Sequence, residues 1–231
     1  MKKISVILAG LFLANSLHAH QIVAQKEGTH YKASFWAHGK FIDYDKYQLK
    51  GAKSYDKLAK ELNTGIDFTG ESAKVLIDGK PNMITFSFDA GYWTKTMQGY
   101  KNVSPLDVKG VIFDSLKSIK FSKTIFAWNE SFTKPTGMKM EVTPLVNPLA
   151  LKPGQLLPVL VTLDGKALTG AGFETSDNDD PTFKTNKYGI AYVPLQKKGL
   201  TVIAAKYYTP QVEDSVVENI ILQSALVFNI K

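Results

Sequence analysis

The chain has 231 residues, no cysteine, and a formal net charge of +7 in which every basic side chain is lysine, since arginine is absent. Without arginine there is no bidentate reader of phosphates or base edges, and the lysines stand singly among acids instead of forming a stripe, so nucleic-acid binding is excluded as the main role. Without thiols there are no disulfides, no thiolate ligands and no cysteine to lipidate, yet a chain of this length buries enough surface to fold without staples.

The first predicted element is a leader. Lys2 and Lys3 form a charged start, Ile4 to Ala14 an apolar run, and Asn15 to Ala19 a polar stretch ending in a small residue, which reads as a signal peptide over residues 1–19. The apolar run of about eleven residues is short of the roughly twenty that span a bilayer, and nothing downstream approaches that length. The mature chain is therefore expected in the periplasm with no transmembrane segment. Cleavage after Leu17-His18-Ala19 makes His20 the first mature residue, and losing Lys2 and Lys3 takes the charge from +7 to +5. Ala14-Asn15-Ser16 offers a second small-x-small site that starts the chain at Leu17.

Residues 20–137 read as a β-rich domain. Tyr31 to His38, Ile84 to Phe88 and Lys123 to Trp128 alternate as strands. Between them a helix is predicted over Tyr55 to Leu62, with Tyr55, Leu58, Ala59 and Leu62 at helical spacing behind Ser54 as N-cap. Asp107 to Ile119 fits helix or strand. Lys134-Pro135-Thr136-Gly137 breaks the pattern, and residues 138–231 read as a second domain. Its strands are Met138 to Val146, Leu156 to Leu163, Leu168 to Glu174, Ile190 to Leu195, Leu200 to Tyr207 and Ile220 to Ile230, with Asp164-Gly165 as a turn. About seven short strands separated by turns are the signature of an immunoglobulin-like sandwich. The expected fold is all-β, with two tandem β-sandwich modules.

Chemistry concentrates in the histidines. After cleavage His20, His30 and His38 remain, and a leading histidine is a chelator in itself. Its α-amine, with a pKa of about 8, and its imidazole, near 6.5, both yield a proton to a metal at neutral pH. Imidazole nitrogen favours nickel, copper, zinc and cobalt over magnesium and calcium. His30 and His38 are eight residues apart, about 26 Å along a strand at 3.3 Å per residue, so one ion cannot take both. His20 and His38 are the candidate metal ligands. A hairpin turning through Lys26-Glu27-Gly28, with Gly28 left-handed, pairs Gln25 with Thr29 and sets both histidines on one face. His38 then lies about 13 Å past the position opposite His20, and a shared ion requires a bulge, another register or a folded-back terminus.

Other segments carry less. Asp177-Asn178-Asp179-Asp180 lacks the glycine and the bidentate glutamate of an EF-hand loop and reads as a solvated turn. Tyr92, Trp93 and Tyr100 sit in a glycine-containing segment that either seals a sandwich end or faces a partner. No nucleophile-elbow serine, His-Glu-x-x-His or glycine-rich phosphate loop occurs, so the chain reads as not an enzyme.

Leu151-Lys152-Pro153-Gly154, Asp164 to Ala171, Lys184 to Gly189 and Lys198 to Ala205 together resemble the carboxypeptidase-regulatory or transthyretin-like sandwich. More narrowly, they resemble the C-terminal part of the exported domain-of-unknown-function family that accompanies nickel and cobalt uptake transporters. Trp36-Ala37-His38-Gly39 is similar to that family's aromatic-small-His turn, and Phe88 to Lys95 with Gly99-Tyr100-Lys101-Asn102 resembles a segment of one subgroup. The resemblance covers nearly the whole mature chain. It implies a periplasmic accessory protein, without catalysis of its own, that binds a divalent metal ion or delivers it to a membrane metal-uptake transporter. Members commonly begin their mature chain at or near a histidine, which His20 matches. Nickel is the expected ion and cobalt the next, with copper and zinc as alternatives. Two other roles fit the residues: a histidine-brace copper protein with oxidative chemistry, and a structural or adhesive sandwich without metal.

Overall fold

Alternation of apolar and polar residues becomes strand almost wherever it occurs. The computed structural model describes residues 20–175, 183–210, 214–217 and 219–231, so the leader with both its cleavage sites and the acidic run at 177–180 lie outside the described residues. In chain order the strands are β1 (Gln21–Glu27), β2 (His30–Ala37), β3 (Lys40–Ile42), β4 (Leu49–Tyr55), β5 (Glu61–Leu62), β6 (Thr64–Asp67), β7 (Lys74–Ile77), β8 (Met83–Thr96), β9 (Gly99–Lys101) and β10 (Asp114–Ile125). They continue with β11 (Met140–Pro144), β12 (Leu156–Leu163), β13 (Lys166–Ala167), β14 (Gly172–Thr175), β15 (Ile190–Pro194), β16 (Gly199–Pro210) and β17 (Asn219–Ile230). Among the described residues no helix is long and apolar enough to cross a membrane.

Three sheets stack. A central sheet runs in the order β14-β16-β17-β10-β8-β4-β5, with β9 on the edge of β8. On one face lies the sheet β1-β2-β7-β6 with β3 beside β2, and on the other the sheet of β11, β12, β13 and β15. Strand period puts alternate residues of the central sheet into two cores. Ile84, Phe86 and Phe88 of β8 meet Ile22, Tyr31 and Ala33, while Met83 of β8 and Phe121 and Ile125 of β10 meet Met140, Val142 and Val159. The all-β sandwich architecture is the expected one. Each half of the chain contributes a sandwich, and the two share the central sheet, because β10 of the first half runs parallel to β17 of the second from Leu116↔Asn219 to Thr124↔Val227. A buried ion pair ties two layers. Lys123 Nζ lies 2.6 Å from Glu141 Oε1 with both side chains fully buried, and the Glu141 carboxylate also accepts the backbone N–H groups of Thr136, Gly137 and Met138.

The predicted helix over Tyr55 to Leu62 is instead a hairpin between β4 and β5. Asp56 closes the loop, its Oδ1 accepting from Leu58 N at 2.8 Å and Lys60 N at 2.9 Å, and Ala59 takes a left-handed φ of 60°. A side chain that captures its own neighbours' amides offers the backbone an alternative to helix. Asp107 to Ile119 resolves into the end of a short 3₁₀ turn and then β10, which begins at Asp114.

Candidate functional site

The position of His20 follows from how β1 is held. Ile22 and Ala24 pack toward Phe86 and Phe88, while Val23 on the opposite side meets Val202, Ala204, Ala225 and Val227 of β16 and β17. The central sheet thus wraps β1 on both faces, and Ala24 N donates to Thr124 Oγ1 of β10 at 3.1 Å. A strand clamped this way fixes the residue immediately before it, which is His20.

The position of His38 follows from a turn. Ala37 pairs with Lys40, leaving His38 and Gly39 as the two loop residues, with φ of 51° and 76°. Positive φ at both central positions is the type I′ hairpin turn, which matches the twist of its strands. Asn and Gly usually fill it, and histidine is among the few side chains that enter left-handed backbone at modest cost. The turn therefore holds an imidazole at a position where a smaller residue satisfies the backbone equally well.

The β1–β2 hairpin brings the two histidines together. Its register pairs Glu27 with His30 and Gln21 with Trp36, around the two-residue loop Gly28-Thr29, with Gly28 at φ 59°. The expected pairing of Gln25 with Thr29 is corrected: Gln25 faces Lys32. The shift moves His38 from four residues past the position opposite His20 to one residue past it. His20 Nε2 and His38 Nε2 are 2.9 Å apart, with ring centroids 4.4 Å apart and planes at 79°. Phe35, on the same face of the hairpin, lies 6.4 Å from the His20 ring. Trp36 and Phe41 meet edge-on at 4.9 Å on the opposite face, where Trp36 packs toward Val23. Sequence reasoning did not find Phe35 as the ring beside His20; the signal was the aromatic-rich alternation of β2.

His30 stands apart at the far end of β2, in a hollow lined with Thr29, Asn63, Thr64, Leu76 and Asp78. Among the described residues no group of three or more His, Cys, Asp or Glu side chains converges on one point. Chemically, the pair offers two imidazole nitrogens at hydrogen-bond distance, one donating and one accepting while both rings are neutral. The aromatic set of the sequence divides. Tyr92 donates to Asp214 Oδ2 at 2.8 Å and Trp93 Nε1 to Ala90 O at 3.2 Å, while Tyr100 donates to the Asp114 carboxylate on the exposed arm between β8 and β10.

A family model described as "Domain of unknown function (DUF4198)" matches residues 16–209, a span that includes both histidines and the arm. A protein of Haemophilus influenzae carrying the name "Uncharacterized protein" is 26% identical over 211 residues, covering 90% of this chain and 88% of its own length. No solved structure matches the chain.

Proposed function

The chain belongs to the family described as Domain of unknown function (DUF4198), and from that premise we propose that it captures a divalent transition-metal ion at His20 and His38 and delivers it, in the periplasm, to a membrane metal-uptake transporter. Nickel is the preferred cargo, then cobalt. The observation that carries this role is the 2.9 Å separation of the two Nε2 atoms, contributed by chain segments eighteen residues apart. Two nitrogens each about 2.0–2.1 Å from one ion are about 2.9 Å apart when they subtend roughly 90°. That angle belongs to square-planar or octahedral shells, which suit nickel, cobalt and copper, more than to the tetrahedral shell of zinc.

Two imidazoles make an incomplete shell, and an incomplete shell suits a carrier. A recipient's ligand enters the open position before the donor's ligands leave. Cleavage before His20 frees its α-amine, which can close a six-membered chelate through Nδ1 of the same ring, and in that mode Nδ1 replaces Nε2 as the His20 ligand. The protein itself is assigned no catalysis.

The test is isothermal titration of the chain beginning at His20 with nickel and cobalt. His20→Ala and His38→Ala each weaken nickel binding at least about tenfold, because removing one of two imidazole donors removes half of the site. His30→Ala leaves it unchanged. Unaltered affinity in both variants refutes the site, and no affinity in the parent leaves the two histidines as a hydrogen-bonded clasp in a structural module.

A further inference from the structure

The arm leading from β8 to β10 ends in a tip whose apolar side chains face solvent. Met97 is 84% exposed, Leu106 78%, Val111 65% and Phe113 61%. Burial of such side chains is what drives folding, so four of them gathered on one exposed tip mark a surface that another body covers. The tip stands clear of the rest of the sheet: β4 leaves β8 after pairing with Phe88, and β17 meets β10 only from Leu116 onward. Met97, Val103 and Val111 share the wall of one hollow with Lys101 and Lys109. Leu106 sits in the short 3₁₀ turn Pro105–Asp107 at its rim, and Phe113 N donates to Lys95 O at 2.9 Å.

Behind the tip stands Tyr100 of β9. Asn102 Nδ2 donates to Ala90 O at 2.9 Å and to Tyr92 O at 2.8 Å, pinning the return of β9 against the bulge at Gly91. Tyr100 is half-exposed, its ring 5.7 Å from Lys95 Nζ and its hydroxyl donating to the Asp114 carboxylate. The charges at this end are Lys95, Lys101 and Lys109 against Asp107 and the tyrosine-bound Asp114, a net positive tip.

Charge and residue type together select the occupant. Lysine is depleted where proteins bury surface against each other. A bilayer surface, by contrast, takes apolar side chains at the acyl boundary, tyrosine and tryptophan at the headgroups, and lysine ammonium groups at anionic phosphates. The arm carries all three kinds of side chain, apolar at the tip with lysines and Tyr100 beside them. We propose that residues 97–113 form a membrane-docking tip that inserts reversibly into the surface of an anionic phospholipid bilayer. This holds whether or not the histidine pair takes a metal.

The test uses the full chain beginning at His20, without added metal, and vesicles of phosphatidylcholine alone or mixed with phosphatidylglycerol, with bound protein separated by flotation. The protein floats with the phosphatidylglycerol vesicles, less with phosphatidylcholine alone, and less again in high salt. Leu106→Asp combined with Phe113→Asp lowers binding at least about tenfold, since the inserted apolar area is lost. The melting temperature stays at the parent's value because both side chains are exposed in the free protein. Lys101→Glu combined with Lys109→Glu abolishes the preference for phosphatidylglycerol. A parent that does not float, or a Leu106→Asp/Phe113→Asp variant that floats as well as the parent, overturns the proposal. A lipid-free dimer in sedimentation equilibrium that the same double substitution dissociates assigns the tip to a second copy of the chain and overturns it as well.

Discussion

At the residue scale neither histidine is demanded by its backbone, since His20 stands just before β1 and His38 holds a left-handed turn position that asparagine also fills. Nickel affinity is expected to fall as pH drops, because a protonated imidazole nitrogen has no lone pair to give a metal. A chain starting at Leu17 should bind less tightly than one starting at His20, because a peptide nitrogen replaces the amine; titration of the two forms side by side reads the difference. Lys120 provides a second expectation. Burial pulls its pKa down from 10.5 to about 8, partly opposed by Glu174, while its ammonium donates to Gln223. Between about pH 8 and 10 the unfolded chain therefore holds a proton that the native state has released, and stability rises with pH by up to about 3 kcal/mol. Above pH 10 the trend reverses as Tyr44, which burial pushes up to about 12, ionises more readily in the unfolded chain. Lys120→Met should reduce the rise, visible as urea midpoints that increase less from neutral pH to about pH 10, the remainder coming from Lys123, whose pKa burial also lowers. The residue types of the site were legible in the sequence, since three histidines without thiols leave few options. Their contact was not, because it depends on whether Gly28 ends the hairpin loop or begins it, and alternation alone does not fix that register.

At the element scale the segment after β4 offers a test whose sign separates two structures. Ala59→Gly in a helix costs about 1 kcal/mol, since glycine is the poorer helix former. In the hairpin Ala59 holds a left-handed φ, a conformation that costs an L side chain roughly 1–2 kcal/mol and glycine almost nothing. Ala59→Gly should therefore stabilise the protein by about 1 kcal/mol, read from the urea midpoint. The helical spacing of Tyr55, Leu58, Ala59 and Leu62 was genuine, and yet Leu58 is 72% exposed. What overrode the spacing was one carboxylate, Asp56, whose capture of two amides leaves no period to detect. Most strands of the second half were legible nearly to their ends, helped by Asp164-Gly165, a two-residue turn with positive φ at both positions. The expected strand Leu168 to Glu174 is corrected to the short strands Lys166–Ala167 and Gly172–Thr175 with a turn between them.

At the scale of the whole molecule, the chain folds as more than the sum of its halves. A fragment of residues 20–137 exposes the β10 edge from Leu116 to Thr124 and the apolar face formed by Met83, Phe121 and Ile125, and it strips Lys123 of the carboxylate it is buried against. The apolar burial lost with that face is worth about 1.5–3 kcal/mol for each large side chain, a large part of the stability of a domain this size. The fragment should show no cooperative thermal transition by circular dichroism and rapid proteolysis; a cooperative transition would show that the first half folds alone. No pattern in the sequence foretold this pairing, because alternation reveals that a strand has a partner and not which strand it is.

The place of β17 has a consequence in time. The strand that closes the middle of the central sheet is the last made, and a chain leaving a ribosome or a translocation pore N-terminus first must carry the open edge of β10 until it arrives. About a hundred residues separate the paired positions, which at about 5–20 residues per second is a delay of roughly 5–20 s. During that interval the front half has nothing to lock onto and stays threadable. It is also sticky, because the β10 edge and the face of Met83, Phe121 and Ile125 lie open to other chains until the second half arrives.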